Sequence, residues 1–209
     1  MKLYYFETIN PQKACAVAKY LDAPVEFVRI DLAKGENKAP AYLAINPNGK
    51  VPALEDGDTK IWESNAIMCH LALKAKSDLW PTDPAKQIDV LKWLSWNSEH
   101  FTKHAGNLYF QYVIKPKFNI GAPDEKAAEE AIGFARQFTA VLDDHLAGRT
   151  FLLGDHLTVA DFAVSVTLPY AETIRLPLDG FRNVARWKAQ LEDLPAWRDP
   201  FPASQARAA

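Results

Sequence analysis

Two short stretches in the first third of the chain carry side chains suited to holding an anion. The first is Thr8 and Asn10, just ahead of Pro11 and a helical run. A hydroxyl and an amide both donate hydrogen bonds, and neither serves as a general base at neutral pH. Beside a helix N-terminus they would stabilise an anion, not abstract a proton. Both residues also suit an ordinary loop, with Asn10 capping a helix that has Pro11 at its first position. The second is Glu63-Ser64, between a strand-like run and a helix. Ser64 is a good N-cap, and a helix N-terminus suits a carboxylate. Glu63 directly follows Trp62 and has no evident structural purpose beyond a solvated carboxylate.

Further along, Trp93, Trp96, Asn97, His100 and His104 recur at helical spacing and share one predicted face. Such a face is ordinarily core, but two histidines and an asparagine give it a polar stripe. His100 and His104 have the spacing of a metal pair. No HExxH pattern and no third ligand accompany them, so no metal is expected. Cys15 and Cys69 form no CxxC pattern and fall inside helical runs. They read as small buried residues. Tyr4 and Tyr5 lie within the first strand and read as packing.

The elements that must position these residues follow from periodicity. Residues 2–6 and 25–30 read as strands around a helix at 12–22, closed by Pro24. This is a βαβ unit with parallel strands. A short helix at 39–45 and the turn-rich INPNGKVP come next. Residues 51–55 and 59–62 flank Asp56-Gly57-Asp58, a strong hairpin signal. A helix over 65–74 follows Ser64. Residues 1–77 are thus an α/β domain of order β-α-β-α-β-β-α.

Residues 78–85, DLWPTDPA, read as a linker, and no strand pattern follows. Asp83-Pro84 starts a long helix predicted to stop before Lys115-Pro116. Further helices are predicted over 124–146, 158–170 and 184–194, so residues 86–209 form an all-α domain. Thr158 and Asp161 make a capping box, with Leu157 and Phe162 placed for a hydrophobic staple.

Composition narrows the function classes. With 48% hydrophobic residues the chain can build a core and is not disordered. The net charge is −2 and no basic block is present, which argues against a nucleic-acid partner. No apolar run approaches the ~18 residues that a membrane span needs. Met1–Phe6 enters a strand directly with no secretory-signal pattern, so a reducing cytoplasmic setting is expected. The 14 prolines and 9 glycines invert the usual balance. A glycine-rich phosphate cradle is therefore not expected, and proline sets many of the turns.

Three motifs carry a resemblance across essentially the whole chain: Asn48–Leu54 (NGKVPAL), Glu63-Ser64, and Leu157–Val164 (LTVADFAV). Together with the α/β-then-helical order, they resemble the cytosolic glutathione transferases, whose first domain has the thioredoxin fold. The loop Glu7–Lys13 (ETINPQK) is most similar to bacterial members, including the nu class with its Thr-x-Asn pair. Glu7 and Pro11 depart from the Pro and Gly of many relatives, which puts the loop's path in doubt and leaves a backbone N–H as another sulfur donor.

The resemblance implies a substrate, glutathione, and a site for it. The Val51-Pro52 bond is expected to be cis, presenting Val51 for antiparallel pairing with an extended peptide. Glu63 and Ser64 would take the ammonium and carboxylate of the γ-glutamyl end, and Lys50 the glycyl carboxylate. Asn48 reads as a turn residue. Thr8 and Asn10 would stabilise the thiolate, the nucleophilic form of the thiol. Trp96, Asn97, His100 and His104 are candidates for the site of the second, electrophilic substrate, or for packing and the dimer interface. A homodimer is implied. The expected activity is transfer of glutathione to a hydrophobic electrophile. The alternatives are a glutathione-dependent disulfide reductase and a non-catalytic binding module of the same fold.

Overall fold

The computed structural model describes residues 1–203. In chain order its elements are β1 (Lys2–Tyr5), α1 (Ile9–Tyr20), β2 (Glu26–Arg29), α2 (Pro40–Leu43), β3 (Ala53–Asp56), β4 (Thr59–Trp62) and α3 (Ser64–Lys74). Then follow α4 (Pro84–Trp96), α5 (Thr102–Tyr109), α6 (Lys115–Phe118), α7 (Glu125–Leu146), α8 (Val159–Val164), α9 (Arg182–Glu192) and α10 (Pro195–Arg198). Packing divides the described residues into two compact units, residues 1–80 with 192–203, and residues 81–191.

The first unit is a thioredoxin-like α/β domain. Its four strands run in the order β2-β1-β3-β4. β1 and β2 are parallel, as a βαβ unit requires, while β1–β3 and β3–β4 are antiparallel. The hairpin closes on Asp56 and Thr59, so its loop is Gly57-Asp58, with Gly57 at a φ of +58° that favours glycine. On one side of the sheet Tyr4, Ile30, Tyr42 and Ala53 form a buried cluster, with Val51 packed against it. α1 lies against α3, and its Ala14–Ala18 stretch is fully buried.

Two helix starts differ from the predicted ones. α1 begins at Ile9, not residue 12. Thr8 is its N-cap, with extended backbone, and Asn10 stands inside the first turn. Pro11 fits the third position because the first N–H groups of a helix have no intrahelical partner to lose. α3 begins at Ser64 itself, and the N-cap position falls to Glu63.

Residues 86–209 read as one helical stretch, yet residues 192–203 pack with the first unit. α10 lies against α1, Lys19 Nζ donates to the carbonyls of Asp199 and Phe201 at 2.7 and 2.6 Å, and Phe201 stacks on Tyr5.

The second unit is all-helical. Asp83 caps α4 by accepting from the Ala85 N–H, and Asp124 caps α7 by accepting from Ala127. α4, α5 and α6 run on without a break, joined by two π turns at Asn97–Phe101 and Phe110–Ile114. The predicted stop before Lys115-Pro116 is therefore absent. Pro116 sits in the first turn after the second π turn, where its missing N–H is tolerated, and the helix ends at Asn119 with φ of 51°. Thr158 caps α8 with the predicted capping box, and Asp161, the helix's third residue, accepts through Oδ2 from the N–H and hydroxyl of Thr158. The helix predicted to Tyr170 tightens into a 3₁₀ turn from Ser165 around Pro169.

Candidate functional site

A cavity of about 170 Å³ opens in the first unit, lined by Asn10, Asn46, Asn48, Lys50, Val51, Pro52, Glu63 and Ser64. Six of these eight are residues that the sequence singles out for binding or thiol activation. Thr8 is not in the lining. It sits two residues upstream of Asn10, half-buried, and its side chain makes no capping bond to α1. The hydroxyl is thus not committed to the helix it precedes.

The floor of the cavity is built from the 46–52 segment. The Val51-Pro52 bond is cis. The ladder between β1 and β3 ends at the pair Tyr4–Ala53, so Val51 lies outside it. The carbonyl of Lys50 is fixed by two donors, the Tyr42 hydroxyl at 2.6 Å and Asn46 Nδ2 at 2.7 Å. Asn46 is itself buried, and its Oδ1 accepts from both the backbone and side chain of Asn48 at 3.0 Å. Gly49 has φ of +58°, its carbonyl accepts from Asn37 Nδ2, and a Cβ there would press on Asn37, Lys38 and Leu43 at 3.1–3.2 Å. Only glycine meets both demands.

The opposite wall is the start of α3. Ser64 is buried and contributes the helix's first N–H groups along with its hydroxyl. Glu63 is exposed and held at φ 70°, ψ 114°, a region that side-chain-bearing residues rarely adopt. Strain of this kind persists where surrounding structure over-determines it, and it concentrates at binding sites.

Behind these two helix starts lies a residue that the sequence reading passed over. Lys13 is almost wholly buried, and its Nζ donates to Asn65 Oδ1 at 3.1 Å. Burial pushes its ammonium down to about 8, with the Glu63 carboxylate acting in the opposite sense. Asn46 was also missed, being read as one more turn residue around Pro47.

The chemistry on offer is recognition of a zwitterion with an additional carboxylate. The helix start at Ser64 suits one carboxylate, Glu63 an ammonium, and Lys50 a second carboxylate. Asn10 and the N-terminus of α1 provide donors for a further anionic atom.

Comparison with known proteins fits this geometry. The family model for the glutathione S-transferase N-terminal domain matches residues 1–73, and that for the C-terminal domain matches residues 106–195. The chain is 35% identical to probable glutathione S-transferase GSTF2 of Oryza sativa subsp. japonica over 202 residues, covering 94% of this chain and 93% of the relative. It belongs to the glutathione S-transferase family. It is also 41% identical to glutathione S-transferase 3 of Zea mays over 184 residues, covering 83% of this chain and 80% of the relative. Among solved structures it resembles glutathione S-transferase-I bound with lactoylglutathione, with a TM-score of 0.86 and 30% identity over 95% of this chain and 97% of that one.

The second set of predicted residues belongs to the helical unit of this family member. Trp96, His100 and His104 come together against α7. His104 stacks on Phe134 with ring centroids 4.5 Å apart, and His100 lies 5.0 Å from Phe138. Burial pushes His104 down from its ordinary value. Asn97 leaves this face. It is buried, donating to the Ala163 carbonyl at 3.1 Å and accepting from the Thr102 hydroxyl at 2.7 Å. Trp93 is buried against His145. The π turn at Asn97–Phe101 adds a residue to the helical turn, so His100 and His104 fall on the side of Trp96 while Trp93 and Asn97 are buried. Among the described residues no group of three or more His, Cys, Asp or Glu side chains is placed to hold a metal. No described helix is long and apolar enough to cross a membrane.

Proposed function

We propose that this chain is a glutathione transferase that binds glutathione in the cavity between the 46–52 segment and α3, ionises its thiol, and delivers the thiolate to an electrophilic small molecule. The observation that supports this most is the meeting of Asn10, Lys50, Val51, Pro52, Glu63 and Ser64 around one cavity in a member of this family. Val51 pairs with the backbone of the cysteinyl residue, Ser64 and Glu63 hold the γ-glutamyl carboxylate and ammonium, and Lys50 holds the glycyl carboxylate. Thr8 and Asn10 donate to the sulfur and favour its anion, the work that the Thr-x-Asn loop would do in a nu-class-like member. Positioning and electrostatics carry the rate, since a free thiol with pKa ~8.5 is mostly protonated at neutral pH.

The division of labour follows the chain: residues 1–77 bind glutathione, 78–85 link, and helical residues 86–191 shape the pocket for the electrophile. Trp96, His100 and His104 are its candidate lining, with Asn97 supporting them from the core. The protein works in the cytoplasm as a homodimer, without a metal.

A disulfide reductase is the second reading, and the cysteines set its stoichiometry. Cys15 is buried, its thiol pushed up by burial, and Cys69 is likewise raised to about 12. Neither supplies a reactive protein thiol, so such a reaction would consume two glutathione molecules and yield two thiols plus glutathione disulfide.

Calorimetric titration with glutathione tests the shared premise. Binding followed by turnover of a chlorinated aromatic, and not of a small disulfide, supports the transferase. The reverse pattern supports the reductase. No heat at millimolar glutathione overturns both and leaves a non-catalytic module.

A further inference from the structure

Glu7 opens the Glu7–Lys13 loop and departs from the residue type expected there. Its carboxylate is gripped at two points by Arg29 of β2: Nε to Oε1 at 2.7 Å and Nη2 to Oε2 at 3.0 Å. Parallel bonds of this kind fix direction as well as distance. The same guanidinium lies over the Phe6 ring at 4.7 Å, which adds a cation–π contact. Between Phe6 and Thr8 the backbone folds tightly, the Thr8 N–H donating to the Phe6 carbonyl at 2.7 Å. From its register position opposite Tyr5, Arg29 therefore holds Phe6 and Glu7, the first two residues of the turn that ends at Thr8.

A carboxylate next to Thr8 is a poor neighbour for a thiolate, because like charges disfavour one another. We propose that Arg29 is a positioning residue of the thiol site, cancelling the Glu7 charge beside Thr8 and so permitting the glutathione thiolate to form there. This inference rests on the placement of glutathione proposed above.

The groups around the pair do not take over this task. Asp31 shares Arg29 at 3.5 Å but is itself held by the backbone N–H groups of Ala33 and Lys34 and by the Lys34 ammonium at 3.9 Å. Tyr5 on β1 and Cys15 on α1 also feel Glu7, and burial keeps both neutral at physiological pH, with Glu7 pushing the same way.

The test exploits sign. Both Arg29→Met and Glu7→Gln break the same bridge, so a purely structural role shifts the site in one direction for both. Charge cancellation shifts it in opposite directions. Arg29→Met, which leaves Glu7 uncompensated, is expected to raise the pKa of bound glutathione by roughly 0.3 to 1 unit, and Glu7→Gln to lower it by a similar amount. The double variant returns near the wild-type value, and both shifts shrink at high salt. The readout is the ultraviolet thiolate band of bound glutathione against pH, with circular dichroism to check folding. A wild-type band with both single variants shifted the same way, or with neither shifted, overturns this inference alone. No bound glutathione in the wild type overturns the parent reading with it.

Discussion

Lys13 of α1 donates from Nζ to Oδ1 of Asn65 in α3, so a buried ammonium ties together the two helices whose starts flank the cavity. A lysine held this way is under electrostatic load. Its folded pKa is lowered from 10.5 to about 8 by burial.

That load predicts a pH dependence of stability. Between about 8 and 10.5 the unfolded chain still holds a proton that the folded chain has released. Stability therefore rises with pH across that window, by up to ~3 kcal/mol from this group. Lys13→Met should lack the rise and should be at least as stable as wild type at neutral pH, since an apolar side chain replaces a buried charge. Urea denaturation of both proteins at pH 7 and pH 10 measures the difference. Equal slopes would remove Lys13 as its source.

Glu63 joins strain to binding in one residue. Its φ of 70° and ψ of 114° suit glycine, so Glu63→Gly should stabilise the fold by about 1 kcal/mol. The same change removes the carboxylate facing the γ-glutamyl ammonium and should weaken glutathione affinity about tenfold or more. Ser64→Ala should weaken affinity with little change in stability, because Ser64 is the first residue of α3 and not its cap. Calorimetry and thermal melts on the same samples separate the two effects. Tighter binding by Glu63→Gly would remove the carboxylate from the site.

Thr8 gives a different pattern. A capping threonine usually costs ~1 kcal/mol of stability when replaced by alanine. Thr8 makes no side-chain cap bond, so Thr8→Ala should leave the melting temperature almost unchanged. Combined with Asn10→Ala, it should move the acidic limb of the pH–rate profile to higher pH, because the thiolate loses two donors. An unmoved profile in the double variant would leave backbone N–H groups of α1 as the stabilisers.

The sequence made the order of strands and helices legible because each signal is local. The DG hairpin, the Asp83-Pro84 helix start and the Thr158–Asp161 box depend on neighbours within a few residues. Glu63, Ser64, Lys50 and the 51–52 bond were legible for another reason: their motifs resemble a family. What escaped depends on distant contacts. Lys13 looks like any helical lysine until α3 covers it. Asn46 looks like a turn residue until the Lys50 carbonyl comes within reach. The π turn at Asn97 leaves no mark in residue types, so five residues at helical spacing were read as one face. Thr8 and Asn10 both favour cap positions, and only the backbone decides between them.

Asp161 offers the clearest test of the helical unit. It is fully buried and accepts four hydrogen bonds. Oδ1 takes the Leu152 N–H and Trp187 Nε1, and Oδ2 takes the N–H and hydroxyl of Thr158. Burial nonetheless raises its pKa from 3.8 to about 6, against the pull of these donors. The folded chain thus keeps a proton between those values that the unfolded chain has lost. Its contribution is fully present below about 3.8 and declines as pH rises to about 6, a change of up to ~3 kcal/mol. Asp161→Asn should abolish this slope. At pH 4 it should also cost roughly 2–4 kcal/mol, because an amide NH₂ must replace one accepting oxygen and face donors, and the cost should shrink towards pH 7 as wild type loses its own stability. Asp161→Ala should cost more, about 3–5 kcal/mol, leaving four donors without an acceptor. Denaturation at pH 4 and pH 7 distinguishes these outcomes. If wild type and Asp161→Asn show the same pH slope, Asp161 ionises equally easily in both states and burial is not the controlling influence on it.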